Sequence, residues 1–225
     1  MLKAIIFDMD GVLVDSMSYH AQAVKNIFDR IGVKMDKKDI FEREGERTAD
    51  IITFLLEKET GNISAYDVPD IVERYIQEFN RIAELQVFEE VRQCLGSIRS
   101  RFRLSVVSGS DKPIVYDIIG KEFPEIFEVI VTGDDVKRGK PDPEPYLQAV
   151  GMLGIDKDEC IVVENAPMGV ESARKAGLYC IAVPTYLDPE KLKSADLVLK
   201  DYRELADYLF QLGPHSTGCP QVPKS

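Results

Sequence analysis

Two carboxylates one residue apart, Asp8 and Asp10, end a short apolar run at the start of the chain, in KAIIFDMDG. They cannot both be ordinary core residues, because buried ionised carboxyls are costly without a cation or hydrogen-bond donors. Three more loops carry reactive side chains just behind apolar runs. Ser108-Gly109-Ser110 follows LSVV, Lys140-Pro141 lies in VKRGKPDPEP, and Glu164-Asn165 follows CIVV. Brought together, these loops would offer three acids, an amide, a hydroxyl and an ammonium. Hard oxygens suit Mg2+, and the hydroxyl and ammonium suit phosphoryl oxygens. The pattern outlines a site for a divalent metal and a phosphate.

Such loops are collected by a parallel sheet. Residues 3–7 read as a strand buried on both faces. Further strands are expected at 104–107, 127–132, 160–163, 179–183 and 197–199. Helices are expected between them, at 89–101, 112–120, 142–153, 168–177 and 202–212. Strands alternating with helices imply a parallel sheet covered on both sides. Residues 16–82 differ: they read as helices throughout, with Asp36, Thr48 and Asp67 as caps and no strand signal. The expected fold class is therefore α/β. A Rossmann-like three-layer core with a parallel sheet takes residues 1–15 and 83–212, and a small all-helical cap domain, 16–82, is inserted after the first strand. Ligands of open α/β sheets bind beyond the carboxyl ends of the strands, so the insertion would hang over the site as a lid. The tail 213–225, GPHSTGCPQVPKS, is expected to be disordered.

Composition narrows the function. Of 225 residues, 28 are Lys or Arg and 39 are Asp or Glu, a formal net charge of -11. That surface repels nucleic acid and anionic lipid, so neither is an expected partner. An anionic substrate would need a local positive centre. No apolar run approaches the roughly 20 residues that cross a bilayer, and the N-terminus lacks the features of a signal peptide. Cys94, Cys160, Cys180 and Cys219 stand far apart with no CxxC, which points to a reduced, cytoplasmic compartment.

FDMDGVLVDS, VVSGS, KRGKPDPEPY and VVENAPMGVESARKAG, in that order, resemble the four motifs of the haloacid dehalogenase superfamily. The resemblance extends over the chain up to the tail. It is to the branch containing β-phosphoglucomutase, phosphoglycolate phosphatase and sugar-phosphate phosphatases, whose helical cap follows the first strand. It implies that Asp8 is a nucleophile forming an aspartyl-phosphate. Asp10 would protonate the leaving group, deprotonate the attacking water, and give its carbonyl to Mg2+. Ser108 and the Gly109 amide would hold phosphoryl oxygens, as would Lys140, which would also quiet their repulsion with Asp8. Glu164 and Asn165 would complete the metal site. One residue departs from the pattern: the family commonly has Asp where this chain has Asn165. An amide oxygen can still bind Mg2+ but brings no charge, so Glu164 is expected to carry more of the binding, or the affinity to be lower.

Two residues of the insertion are candidates for the site. His20 lies in the first helix of the cap and could face the core, and Arg47, beside Gly45 on a cap loop, could recognise substrate. The expected function is a Mg2+-dependent phosphatase of a small phosphorylated metabolite, with the monomer favoured. A β-phosphoglucomutase-type phosphomutase is the nearest alternative. It needs a cationic anchor in the cap for a second phosphate, and Arg47 in EGERTAD does not fall cleanly on that position. A non-enzymatic phospho-acceptor or metabolite-binding regulator is the alternative of another class, but it gives Asp10 no task.

Overall fold

The computed structural model describes residues 1–213, so all of the tail expected over 213–225 except Gly213, Cys219 included, lies outside the described residues. The chain runs β1 (Ala4–Phe7), β2 (Val14–Asp15), α1 (Met17–Arg30), α2 (Lys37–Glu42), α3 (Thr48–Thr60), α4 (Val68–Ile82) and β3 (Gln86–Val87). It continues through α5 (Glu89–Ile98), β4 (Arg103–Val107), α6 (Lys112–Glu122), β5 (Val129–Val131), α7 (Glu144–Leu153) and β6 (Cys160–Glu164). The last elements are α8 (Pro167–Ala176), β7 (Tyr179–Ala182), β8 (Leu197–Val198) and α9 (Tyr202–Gln211).

Among the described residues, six strands form one sheet in the order β5-β4-β1-β6-β7-β8, every pairing parallel. Alternate side chains of β1 enter opposite cores: Ile5 and Phe7 one, Ala4 and Ile6 the other. That double burial is why the strand reads as an unbroken apolar run. Register then places the site. Phe7 lies beside Val106 of β4 and Val163 of β6, so Asp8, Ser108 and Glu164 leave the sheet at the same edge.

The helices of 17–82 pack chiefly on one another, α1 against α4 and α3 against α4. Asp36 and Asp67 cap α2 and α4 as expected, accepting from the backbone N–H groups of Lys38 and Asp70. Thr48 does not cap: it is the first residue of α3, and it is buried. The sequence also gave no hint of β2 and β3. They pair antiparallel, Val14 with Val87 and Asp15 with Gln86, and form a neck where the chain enters and leaves the helical block. Two-residue strands are too short to show a period. No helix among the described residues is long and apolar enough to cross a membrane.

Candidate active site

Asp8 follows β1 directly, its N–H donating to the Val163 carbonyl at 2.9 Å. The Lys140 ammonium donates to Asp8 Oδ1, to Glu164 Oε1 at 2.7 Å and to the Val107 carbonyl at 3.2 Å. Tyr146 donates to the same Glu164 oxygen at 2.6 Å. Glu164 Oε2 accepts from the N–H groups of Asn165 (2.9 Å) and Ala166 (3.2 Å). Gly169 makes room for this carboxylate, since a Cβ there would stand 1.7 Å from Oε1. Asp8, Lys140 and Glu164 are all buried. Burial pushes the Asp8 carboxyl well above the usual range against the pull of Lys140, with Glu164 and Asp10 adding to the rise. Burial opposes the Lys140 charge too, but Asp8 and Glu164 outweigh it and hold the ammonium above the ordinary lysine range.

Asp10 is gripped by four donors. Ser16 Oγ (2.5 Å) and His20 Nε2 (2.9 Å) meet Oδ1, while Ser108 Oγ (3.0 Å) and Ser110 Oγ (2.8 Å) meet Oδ2. Burial works against the charge, but His20 and the hydroxyls prevail and hold the carboxyl at about 2. An ionised carboxylate only accepts, so His20 Nε2 carries a proton. The other ring nitrogen meets the Tyr75 hydroxyl at 2.5 Å, and the ring stacks on Phe79 at 4.3 Å between centroids.

The helical block closes the site from above through the loop between α2 and α3. Asn165 Nδ2 donates to Glu44 Oε1 at 2.8 Å, both residues being buried. Gly11 and Gly109 allow this approach. A Cβ at Gly11, whose φ is +79°, would stand 2.0 Å from Asn165 Nδ2. One at Gly109 would stand 2.3 Å from the Gly45 carbonyl oxygen and 2.5 Å from that of Glu46. Beneath the loop is a cavity of about 40 Å3, bounded by Asp8, Asp10, His20, Glu44, Glu46 and Ser110 among others. It has room for water but for nothing of metabolite size.

The sequence profile of the haloacid dehalogenase-like hydrolases matches residues 5–183, from β1 to just past β7. The chain belongs to this family. Hexitol phosphatase A of Escherichia coli (strain K12) is 31% identical over 215 residues, covering 90% of this chain and 93% of its own. Beta-phosphoglucomutase of Bacillus subtilis (strain 168) is 25% identical over 214 residues, covering 91% and 92%. The solved structure of CbbY from Rhodobacter sphaeroides in complex with phosphate matches with a TM-score of 0.80 at 27% identity, covering 91% of this chain and 96% of that one.

In this haloacid dehalogenase-like hydrolase, Asp8, Asp10, Ser108, Gly109, Lys140, Glu164, Asn165 and His20 meet at one sheet edge. Arg47 does not reach the cavity. Its guanidinium donates to the Lys137 carbonyl at 2.8 Å, and its stem lies where a Cβ on Gly139 would be, 2.6 Å from Cγ. Arg47 thus straps the helical block to a core loop. Nor does Glu164 show a free oxygen, since Lys140, Tyr146 and two backbone amides take both of them. Sequence reading missed Ser16 and Ser110 as partners of Asp10, although both sit inside the recognised motifs. It also passed over Glu44 and Glu46, signalled only by the EGE around Gly45, and Tyr146, the last residue of the KRGKPDPEPY motif.

Charge is badly balanced here. Asp8, Asp10, Glu44 and Glu164 are each under 10% exposed, and Lys140 is the only buried Lys or Arg among the described residues. Where the cap loop meets the core, Asn165 Oδ1 and Glu44 Oε2 are buried without a hydrogen-bond partner. No three His, Cys, Asp or Glu side chains stand together as a metal cluster among the described residues. The oxygens on offer are carboxylate, amide and carbonyl, a hard mixed set of the kind Mg2+ accepts.

Proposed function

We propose that this hydrolase is a Mg2+-dependent phosphatase of a small phosphorylated metabolite, a sugar phosphate or phosphoglycolate-like compound, acting through an aspartyl-phosphate on Asp8. The observation that carries this reading is the pairing of two buried carboxylates. Asp8 is held by an ammonium at the strand end, and Asp10 is held by donors two residues on. Lys140 engages Oδ1 of Asp8; one carboxylate oxygen would attack while the other stays available to a cation. As the attacking oxygen bonds to phosphorus, the bond from phosphorus to the leaving oxygen breaks, and Asp10 gives that oxygen a proton. Water then attacks the same phosphorus, Asp10 takes its proton, and Asp8 leaves as a carboxylate.

At about 2, Asp10 is ionised in the substrate-free state and has no proton to give. An arriving phosphoryl group competes for the Ser108 and Ser110 hydroxyls. His20 does most to hold the Asp10 charge, but an anion beside the carboxyl raises its pKa, and it takes up from solvent the proton it then transfers. Lys140 remains between Asp8 and the phosphoryl oxygens, oriented by Glu164. Asp8, the Asp10 carbonyl and Asn165 would hold Mg2+, and the unpartnered Asn165 Oδ1 fits that task. A bound divalent ion supplies the positive charge that lets one anion attack another.

The cavity of about 40 Å3 implies that the helical block acts as a cap, swinging away on the β2–β3 neck to admit substrate and closing to exclude water. Among the described residues no Lys or Arg lines that cavity. A phosphomutase needs a cation for the second phosphate; Arg47 lines an adjoining pocket with Thr48 and Gly109 but is held by the Lys137 carbonyl, which favours transfer to water. The test is phosphate release by purified protein from a panel of hexitol and hexose phosphates, phosphoglycolate, pyrophosphate and p-nitrophenyl phosphate. Release with Mg2+ that EDTA abolishes is expected. No release from any compound, or release indifferent to EDTA, contradicts the reading.

A further inference from the structure

Glu44 has no task in that reaction, yet it is 2% exposed and sits among carboxylates. Its neighbour Arg43 does not neutralise it, since that guanidinium pairs with Glu46 at 2.7 Å. One Glu44 oxygen accepts from Asn165 Nδ2 at 2.8 Å, and the other has no partner. The oxygen of the same Asn165 amide also has no partner. Two buried, unsatisfied oxygens therefore lie on residues in contact with each other, one from the core and one from the cap. Position 165 is also where this chain lacks a carboxylate that its family commonly has.

We propose that Glu44 supplies, from the cap, the charged cation ligand that Asn165 lacks, so that the divalent-cation site is complete only when the cap is closed. This rests on the Mg2+-dependent reading above. The chain's own geometry is built for it. Gly45 turns the loop through a φ of +92°, and Gly11 and Gly109 leave no side chain in the loop's path. Asn165 suits such a partner better than Asp would. Its Nδ2–H holds the incoming carboxylate, where a second carboxylate 2.8 Å away would repel it until a cation arrived. Opening the cap carries Glu44 away and removes one charge from the site. Closure therefore tightens cation binding, and by linkage the cation favours closure by the same factor.

The test is direct binding without substrate: Mg2+ by calorimetry and Mn2+ by electron paramagnetic resonance, with small-angle scattering to follow closure. The proteins are wild type, Glu44→Gln, Glu44→Asp and the double variant Glu44→Gln with Asn165→Asp. A Gln oxygen still accepts from Asn165, so a purely structural Glu44 predicts no loss of cation. Removing one charge from the site is expected to weaken both cations by about tenfold or more in Glu44→Gln. Glu44→Asp should lose less, and the double variant should regain most of the affinity. Mg2+ should compact the wild type but not Glu44→Gln. Wild-type binding with a Glu44→Gln affinity within about twofold of it overturns the role of Glu44 and leaves the Mg2+ reading standing. A wild type that binds neither cation overturns both.

Discussion

Gly109 sits where the cap loop meets the core, and adding one methyl group there tests whether that contact operates during turnover. In the closed form the Cβ of Gly109→Ala would stand 2.3 Å from the Gly45 carbonyl oxygen and 2.5 Å from that of Glu46. Ordinary contact begins at 3.4 Å, and these neighbours are backbone, so the loop must retreat by about 1 Å. A displacement of that size can cost on the order of 10²-fold in rate. Gly109 is buried and the clash is with backbone, so overpacking should also cost about 1–3 kcal/mol of stability. The assay compares kcat/KM on the best metabolite and the thermal unfolding midpoint for the two proteins. A fall of about a hundredfold, in protein that still unfolds cooperatively at a somewhat lower midpoint and is assayed well below it, is expected. Activity within about threefold of wild type would show that the cap loop does not rest on Gly109 when the reaction occurs.

Lys140→Met leaves Asp8 and Glu164 buried without their cation, and their side chains are 4% and 0% exposed. About 3–5 kcal/mol of stability should be lost at neutral pH, and less in acid, where the carboxyls take up protons. Urea unfolding at two pH values checks this, and an equal loss at both contradicts it. Asp111, just before α6, is buried, and burial lifts its carboxyl from 3.8 to about 6. Between those values the folded protein holds the proton more tightly than the unfolded chain. This contribution to stability is therefore full below 3.8 and is lost as pH rises through about 6. Asp111→Asn should flatten that part of the stability profile, and an unaltered slope would refute the assignment.

The residues visible in the sequence were those whose position follows from the sheet. Asp8, Ser108 and Glu164 end apolar runs, so the strand pattern alone brought them to one edge, and parallel register kept them in line. Asp36 and Asp67 announced the starts of α2 and α4 through local cap chemistry. What was hidden depends on how the helical block sits on the core. Glu44 and Arg47 are three residues apart in one loop, yet Glu44 reaches Asn165 while Arg47 straps the Lys137 loop. Charge type suggested Arg47 for an anionic substrate, but direction decided otherwise. Tyr146 lies inside α7 and is fully buried. Its hydroxyl nevertheless finds Glu164, 18 residues away, and only packing of α7 on the sheet reveals that contact.

In the proposed reaction the phosphoryl group passes through the Asp8 carboxylate. The most direct measurement of that step is mass spectrometry of peptides from acid-quenched reactions, with p-nitrophenyl phosphate and Mg2+, for wild type, Asp8→Asn and Asp10→Asn. The leaving group needs little protonation, so Asp10→Asn should be slowed chiefly in the attack by water, by on the order of 10²–10⁴-fold. A phosphoryl group should then accumulate on the peptide carrying Asp8 in Asp10→Asn, appear transiently in wild type, and be absent from Asp8→Asn along with turnover. Phosphate release with no phosphorylated Asp8 peptide in either active protein, or a phosphoryl group on another residue, would contradict the account.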